Sequence, residues 1–362
     1  MCVTTFTQVN AQGCVAIRGF SSCSGTMGNS FALMKGDLLL GTNFRHFKSF
    51  RHFRGDHEEK NRVEDGTEVI NKSSLLDLTL NYAISDRIYT NVTIPFVFHD
   101  RSSMYEHGGN PPNGLGERHS THSSGLSDIR MGLGYWLIDP IKHSKTNYSV
   151  GLGVKLPTGK YDYMDIFYNQ GDDRNENIES VVDQSIQPGD GGTGITLDIA
   201  GYHTLSNHLM ITNNFYYMSN PKTTNGVLTR NGREEFSCPD QFAARIGLNY
   251  FQKQFSAYLG GRIEGVPSSD LIGSSAGYRR PGYVASVEPG ISYALHNLIF
   301  SLNVPVALYR NRIQSFSDKQ RTEETGVYRI GDAAFANYLL NFNVSYRFSK
   351  KAEADFILEG VH

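Results

Sequence analysis

The chain has 362 residues, with 34 basic and 36 acidic side chains and a formal net charge of −2. This near balance argues against a nucleic-acid partner. The sequence contains no run of eighteen apolar residues, which argues against a membrane-spanning helix. Glycine, tyrosine and phenylalanine are abundant, with 37, 20 and 21 residues, and this composition is typical of membrane β-barrels with aromatic girdles.

The N-terminal residues are interpreted as part of an export signal. Residues 1–11 resemble the end of a signal peptide, with cleavage before Gln12, and residues 12–35 are predicted to form a periplasmic segment. Cys14 and Cys23 would then lie in an oxidising compartment. They are candidates for a disulfide, with two free thiols as the alternative.

Twelve stretches show the alternation of apolar and polar residues that is typical of a strand. Most have eleven or more residues, which fits a tilted membrane-spanning strand of roughly 9 to 11 residues better than a soluble strand of five or six. The face opposite the apolar one carries charged residues and glycines, as a lumen-facing surface would. The predicted strands are residues 37–47, 74–84, 87–99, 125–137, 148–157, 193–205, 208–219, 240–251, 255–266, 283–295 and 298–309, and a twelfth that ends at 348.

The connections between these strands alternate between short and long. Five are tight turns, such as Ser85–Asp86 and His296–Asn297. The sequence therefore predicts an all-β, transmembrane, antiparallel up-and-down β-barrel of about twelve strands over residues 36–348, with short periplasmic turns and long external loops. Such a barrel lies in the bacterial outer membrane, with the lipid bilayer around it and the barrel-assembly machinery as its partner during insertion. The long connections are residues 48–73, 100–124, 158–192, 220–239, 267–282 and 310–334.

The last strand supports this interpretation. It ends in an alternating segment that closes on Phe348, and this resembles the C-terminal recognition signal of outer-membrane barrels. Residues 349–362 are predicted to be a periplasmic tail.

Strand parity places twelve charged residues on the inner face, six of each sign, and this balance argues against a strongly ion-selective pore. Two arrangements are possible: the charges pair into a network that fills the barrel, or they line a narrow conduit. Both are open because a twelve-stranded barrel is intermediate between small barrels filled by side chains and large barrels with an aqueous channel. In a conduit, Arg130 and Lys155 are the best-placed contacts. Inward glycines such as Gly134 and Gly247 would leave room for a solute or let the strands bend. The charged residues are Asp37, Arg45, Asp77, Asp128, Arg130, Lys155, Asp198, Arg245, Arg262, Glu264, Glu288 and Arg347.

Metal, cofactor and enzyme sites are not expected. Histidines such as His107 and His119 are frequent in the predicted loops, but they lack the spacing of a metal site and are expected to be solvated. His46 and Thr42 share an outward strand face, but no His-x-Ser pattern lies on an outward strand position, so no enzyme activity is expected.

Two motifs in the middle of the chain resemble a known family. GLSDIRMGLGYWL, from Gly125, and VGLGVKLPTGKYD, from Val150, are similar to the signature of outer-membrane barrels grouped with the meta-pathway of phenol degradation, the MetA-like transporter family. GDLLLGTNFRHF, from Gly36, is similar to that family's first strand. The resemblance implies passive passage of small solutes, hydrophobic ones among them, through a narrow lumen. The alternative is a structural or partner-binding barrel within an envelope protein complex.

Overall fold

The computed structural model describes residues 33–140 and 145–349. Four predictions lie outside the described residues: the signal-peptide remnant, the periplasmic segment up to residue 32, the candidate disulfide cysteines, and the C-terminal tail from residue 350. The predictions made for them stay predictions.

Twelve antiparallel strands form a closed barrel, as predicted. Each strand pairs with the next one along the chain, and β1 pairs with β12 from Leu38↔Phe348 to Phe53↔Ala333, which closes the sheet. The strands are β1 (Leu38–Arg54), β2 (Ile70–Ala83), β3 (Ile88–Ser103), β4 (His119–Leu126 and Arg130–Trp136), β5 (Thr146–Lys155), β6 (Gly194–Ser206), β7 (Leu209–Ser219), β8 (Gln241–Gln252), β9 (Phe255–Val266), β10 (Gly282–Leu295), β11 (Leu298–Asn303 and Val306–Asn311) and β12 (Ala333–Phe348).

Two strands that were predicted to be continuous are interrupted. The break in β4 faces Pro95 on β3, and the break in β11 contains Pro305. Proline has no N–H to donate to a sheet ladder, so the pairing stops at these points. The break in β4 has a consequence for the lumen, because it contains Asp128, whose side chain is buried inside the barrel.

The outer surface of the barrel is a lipid-facing belt. Leu152, Leu259 and Ile246 are among the apolar side chains that alternate with buried inward residues, and they are 63%, 60% and 59% exposed. Exposed aromatic residues gather at the end with the tight turns, in the position of a membrane-interface girdle. These are Tyr82, Tyr135, Tyr148, Tyr250, Phe255, Tyr293, Tyr346 and Phe348.

Six long loops leave the opposite end of the barrel. They contain a short helix α1 (Asn61–Glu64), a hairpin of Met164–Gln170 and Glu176–Val181, a second hairpin of Thr224–Leu228 and Glu235–Ser237, and helix α2 (Phe316–Thr325). No helix among the described residues is long and apolar enough to cross a membrane. We name the loops L1 (55–69), L2 (104–118), L3 (156–193), L4 (220–240), L5 (267–281) and L6 (312–332).

Candidate functional site

Loop L3 folds into the barrel, and Lys155 fastens both of its stems to the inner wall. The Lys155 side chain is almost fully buried, and its Nζ donates to Asp128 Oδ2 at 2.9 Å, to the Gly192 carbonyl at 2.8 Å and to the Asp190 carboxylate. Asp128 Oδ1 in turn accepts the Gly159 backbone N–H at 3.0 Å. Lys155 is therefore a structural anchor for the loop.

The two stems of L3 cross at a pair of glycines. A Cβ added at Gly189 would overlap the backbone carbonyl of Gly159, and a Cβ at Gly159 would lie 2.8 Å from the Gly189 Cα. Any side chain at either position would push the stems apart. The Leu-Pro-Thr-Gly motif that ends at Gly159 thus supplies a close backbone approach that lets the loop turn inward.

The segment of L3 that follows its hairpin, which we call the tip because it reaches into the lumen, is held there by Asp183. Its carboxylate accepts two hydrogen bonds from Arg280 of L5, at 2.9 and 2.5 Å, and lies 3.8 Å from Arg101 Nη1 at the outer end of β3. Arg101 also bonds Glu106 of L2 at 3.0 Å. Since β3 and β10 are several strands apart in either direction around the barrel, the tip is fastened on two sides. We call Arg101, Glu106, Asp183 and Arg280 the latch.

The carboxylates of the latch are ionised at neutral pH. Burial alone would raise the pKa of Asp183, but the nearby guanidinium groups of Arg101 and Arg280 outweigh it and hold that pKa well below its usual range. The pKa of Glu106 is lowered in the same way, because Arg101 outweighs the effect of burial. The latch is a cluster of buried charges that neutralise one another.

L3 divides the space inside the barrel into two cavities. The outer one, the basin, has a volume of about 1830 Å³ and is lined mainly by the long loops. The inner one, the lower cavity, has a volume of about 120 Å³ and lies between L3 and the barrel wall. Phe236, Arg279 and Arg280 line both cavities, so these side chains, beside the latch, stand between the two.

The walls of the lower cavity are partly apolar. Phe47 and Leu75 belong to a buried cluster on β1, β2, β3 and β12, and Tyr216 and Met218 belong to another on β7 and β8. Arg130 also lines this cavity; it is partly buried, and its side chain makes no hydrogen bond or ion pair with any described residue. The cavity therefore offers apolar walls and one available cation.

A layer of paired charges borders the lower cavity. Arg262 bonds Glu264 at 2.8 Å and lies 3.9 Å from Glu288, which also pairs with Arg245 at 3.3 Å. Arg45, which lines the cavity, bonds Asn341 at 3.1 Å. These charged residues are at most 4% exposed, so side chains fill the lumen at this level. We call them the charge layer.

The other inward charges are spread along the barrel. Arg347 and Asp37 form an ion pair at 2.5 Å near the seam between β1 and β12. Asp77 is 2% exposed, and its Oδ1 has no hydrogen-bond partner among the described residues. Asp198 is partly buried and lies within electrostatic range of Arg130.

Inward tyrosines occupy the space above the glycines that the sequence places on the inner face. A Cβ at Gly134 would overlap the ring of Tyr89, and a Cβ at Gly247 or Gly260 would overlap Tyr258. The glycines therefore let aromatic rings lie flat against the wall. The Tyr258 hydroxyl has no hydrogen-bond partner among the described residues, and neither amide atom of Asn303 has one. These atoms can bond water or a solute.

The prediction that the loop histidines are solvated is wrong for His107. It is fully buried, its ring stacks on Phe167 with 5.6 Å between centroids, and its Nδ1 accepts the Tyr168 N–H at 3.0 Å. Burial lowers the pKa of His107 to about 4, so the ring is neutral and can accept this bond. In the described part of the chain, no group of three or more histidine, cysteine or acidic residues could hold a metal ion.

No pattern in the sequence marks the residues of the latch. Asp183, Glu106 and Arg280 lie in loops, where no periodicity marks a residue as inward-facing. The available signal was the length of L3, because loops longer than about 12 to 15 residues are often functional.

Comparison with known proteins finds similarity of fold only. No protein-family model and no curated protein matches the chain. Similar solved structures include an outer-membrane channel from Pseudomonas putida F1, with a TM-score of 0.58, 12% identity and coverage of 88% of this chain and 97% of that one. They also include the β domain of the Bordetella autotransporter BrkA, with a TM-score of 0.46, 14% identity and coverage of 87% of this chain and 100% of that one. A third is the P. putida toluene transporter TodX, with a TM-score of 0.40, 10% identity and coverage of 89% of this chain and 92% of that one. The chain therefore has the fold of an outer-membrane β-barrel. The MetA-like resemblance stays a prediction.

Proposed function

We propose that the protein is an outer-membrane channel that passes small solutes through its lumen, with L3 as the gate. The observation that carries this proposal is that the basin and the lower cavity are separated only by the side chains they share, Phe236, Arg279 and Arg280, beside the latch. A solute that enters the basin reaches the latch directly, and release of Asp183 from Arg280 would join the two cavities. Transport in this account is passive: a concentration gradient drives it, and thermal motion opens first the latch and then the charge layer.

The lower cavity indicates the size and character of the solute. Its volume is about 120 Å³, and an engineered apolar cavity of about 150 Å³ binds benzene. Phe47, Leu75, Tyr216 and Met218 provide apolar contacts on different walls. We therefore infer that the solutes are small and partly apolar, about the size of a single aromatic ring.

The paired charges favour one rival function. Both the latch and the charge layer close the lumen with buried ion pairs, which is what a rigid, non-conducting barrel would also use. In that case the long loops would bind another envelope protein. The deep basin argues against the rival, since a docking surface does not need a cavity that leads to the lumen.

Solute uptake by liposomes distinguishes the two. Liposomes containing refolded protein are placed in iso-osmotic erythritol, arabinose or sucrose, and swelling is recorded by light scattering. The channel proposal predicts fastest swelling in erythritol, slower swelling in arabinose and none above background in sucrose. Protein that migrates as a folded barrel in an unheated gel, but gives swelling equal to protein-free liposomes in all three solutes, would contradict the proposal.

A further inference from the structure

The basin is lined by far more cationic than anionic groups. Ten arginines, no lysine and five carboxylates line it among the described residues. All five carboxylates already have a cationic partner, for example Asp318 with Arg312 at 3.1 Å and Asp332 with Arg62 at 3.7 Å. The excess positive charge is therefore not cancelled by the basin's own acidic residues.

Four of the ten arginines have no carboxylate partner in the described structure: Arg174 on L3, Arg230 and Arg233 on L4, and Arg329 on L6. Arg174 and Arg230 donate to neutral oxygens, the Asn113 carbonyl and Gln170 Oε1. The side chains of Arg233 and Arg329 are exposed and make no hydrogen bond with a described residue. Three different loops thus direct unpaired guanidinium groups at one opening.

An exposed aromatic ring accompanies these cations. Tyr328, next to Arg329 in the chain and on the same lining, is 65% exposed. A guanidinium near an aromatic ring can hold a carboxylate in a forked pair while the apolar body of the ligand packs on the ring. The Phe167 ring is buried, and its contact with the Arg230 guanidinium, at 4.8 Å, holds that arginine in place on the basin wall.

We propose that the basin captures small organic anions with an apolar body, such as aromatic carboxylates, and that Arg174, Arg230, Arg233 and Arg329 are its anion contacts. The proposal rests on the channel function and adds the class of solute. Arg279 and Arg280 continue the cationic lining to the lower cavity, where Arg130 faces the apolar walls. A pathway lined in this way concentrates anions over cations, by an amount that falls as salt screens the field.

The first test is the reversal potential in a planar bilayer with a KCl gradient. The wild type should favour chloride over potassium by about tenfold at 0.1 M salt. Replacing the four arginines by glutamine should bring the ratio close to one. The matched control replaces four exposed lysines that do not line the basin, Lys48, Lys60, Lys72 and Lys319, by glutamine, and it should keep the wild-type ratio.

The second test separates organic from inorganic anions. Sodium benzoate, benzamide and sodium sulfate are added on the loop side while the KCl current is recorded. Benzoate should block at concentrations at least about tenfold lower than either of the others, and the quadruple glutamine variant should lose this difference. Equal block by sulfate and benzoate would overturn the assignment of an apolar anion.

The possible failures are distinguishable. A protein that conducts with a reversal potential at zero or of cationic sign overturns this inference and leaves the channel intact. A folded protein that conducts no ions overturns the proposed function itself. A control variant that loses selectivity as fully as the arginine variant would show that total surface charge, and not the basin, sets the preference.

Discussion

Replacing Asp183 by asparagine should open the gate. The substitution keeps the size of the side chain and one acceptor oxygen, but it leaves Arg280 and Arg101 beside a neutral group. Breaking a buried ion pair costs about 3 to 5 kcal/mol, and the remaining hydrogen bond favours the lower end, about 3 kcal/mol. At 1.4 kcal/mol for each factor of ten, the fraction of time that the L3 tip is released should rise about a hundredfold.

Single-channel recording measures this directly. The Asp183→Asn variant should show openings of higher conductance that are rare in the wild type. Asp172→Asn is the matched control, because Asp172 lies in the same loop, is exposed and has no ion pair with a described residue; it should behave like the wild type. If folded Asp183→Asn protein opened as rarely as the wild type, the latch would not be the gate.

Three further predictions concern L3 and L2. Because a Cβ at Gly189 would overlap Gly159, Gly189→Val should displace the loop at a cost of about 1 to 3 kcal/mol, seen as faster proteolysis within L3. The folded-state pKa of Asp183 lies below its unfolded value, so the stabilisation from the latch is lost only in strong acid; the opening frequency should be equal at pH 7 and pH 5. The pKa of His107 is lowered to about 4 from 6.5, so the packing of the ring weakens as pH falls between these values. Hydrogen exchange, corrected for its intrinsic rate, should show reduced protection of Met164–Gln170 at pH 4.5 relative to pH 7, and unchanged protection would contradict the assignment.

The strands could be predicted from the sequence because alternation is a local property. A strand that separates lipid from lumen must change character at every residue, so β9 was predicted with the bounds it has, Phe255–Val266. The interruptions at Pro95 and Pro305 were missed. Both prolines stand within stretches whose side chains still alternate, and alternation alone does not report on a missing N–H.

The latch could not be predicted in the same way. Asp183 and Arg280 are 97 positions apart in the chain, and each belongs to a loop that has no periodicity. Their contact depends on where the closed barrel brings L3 and L5. The predicted balance of six positive and six negative inward charges was incomplete for the same reason, because it counted only strand residues and left out the loops. Most of the basin's arginines lie on loops, and they make the net charge of the entrance positive.

The most direct test of the account is the conductance of the refolded wild-type protein in a planar bilayer, with folding verified by its shifted gel mobility without heating. The account predicts small, discrete steps, because ions pass only while both the latch and the charge layer are open. A folded protein that inserts stably and shows no steps at any voltage would contradict it and would favour a closed barrel that binds partners through its loops.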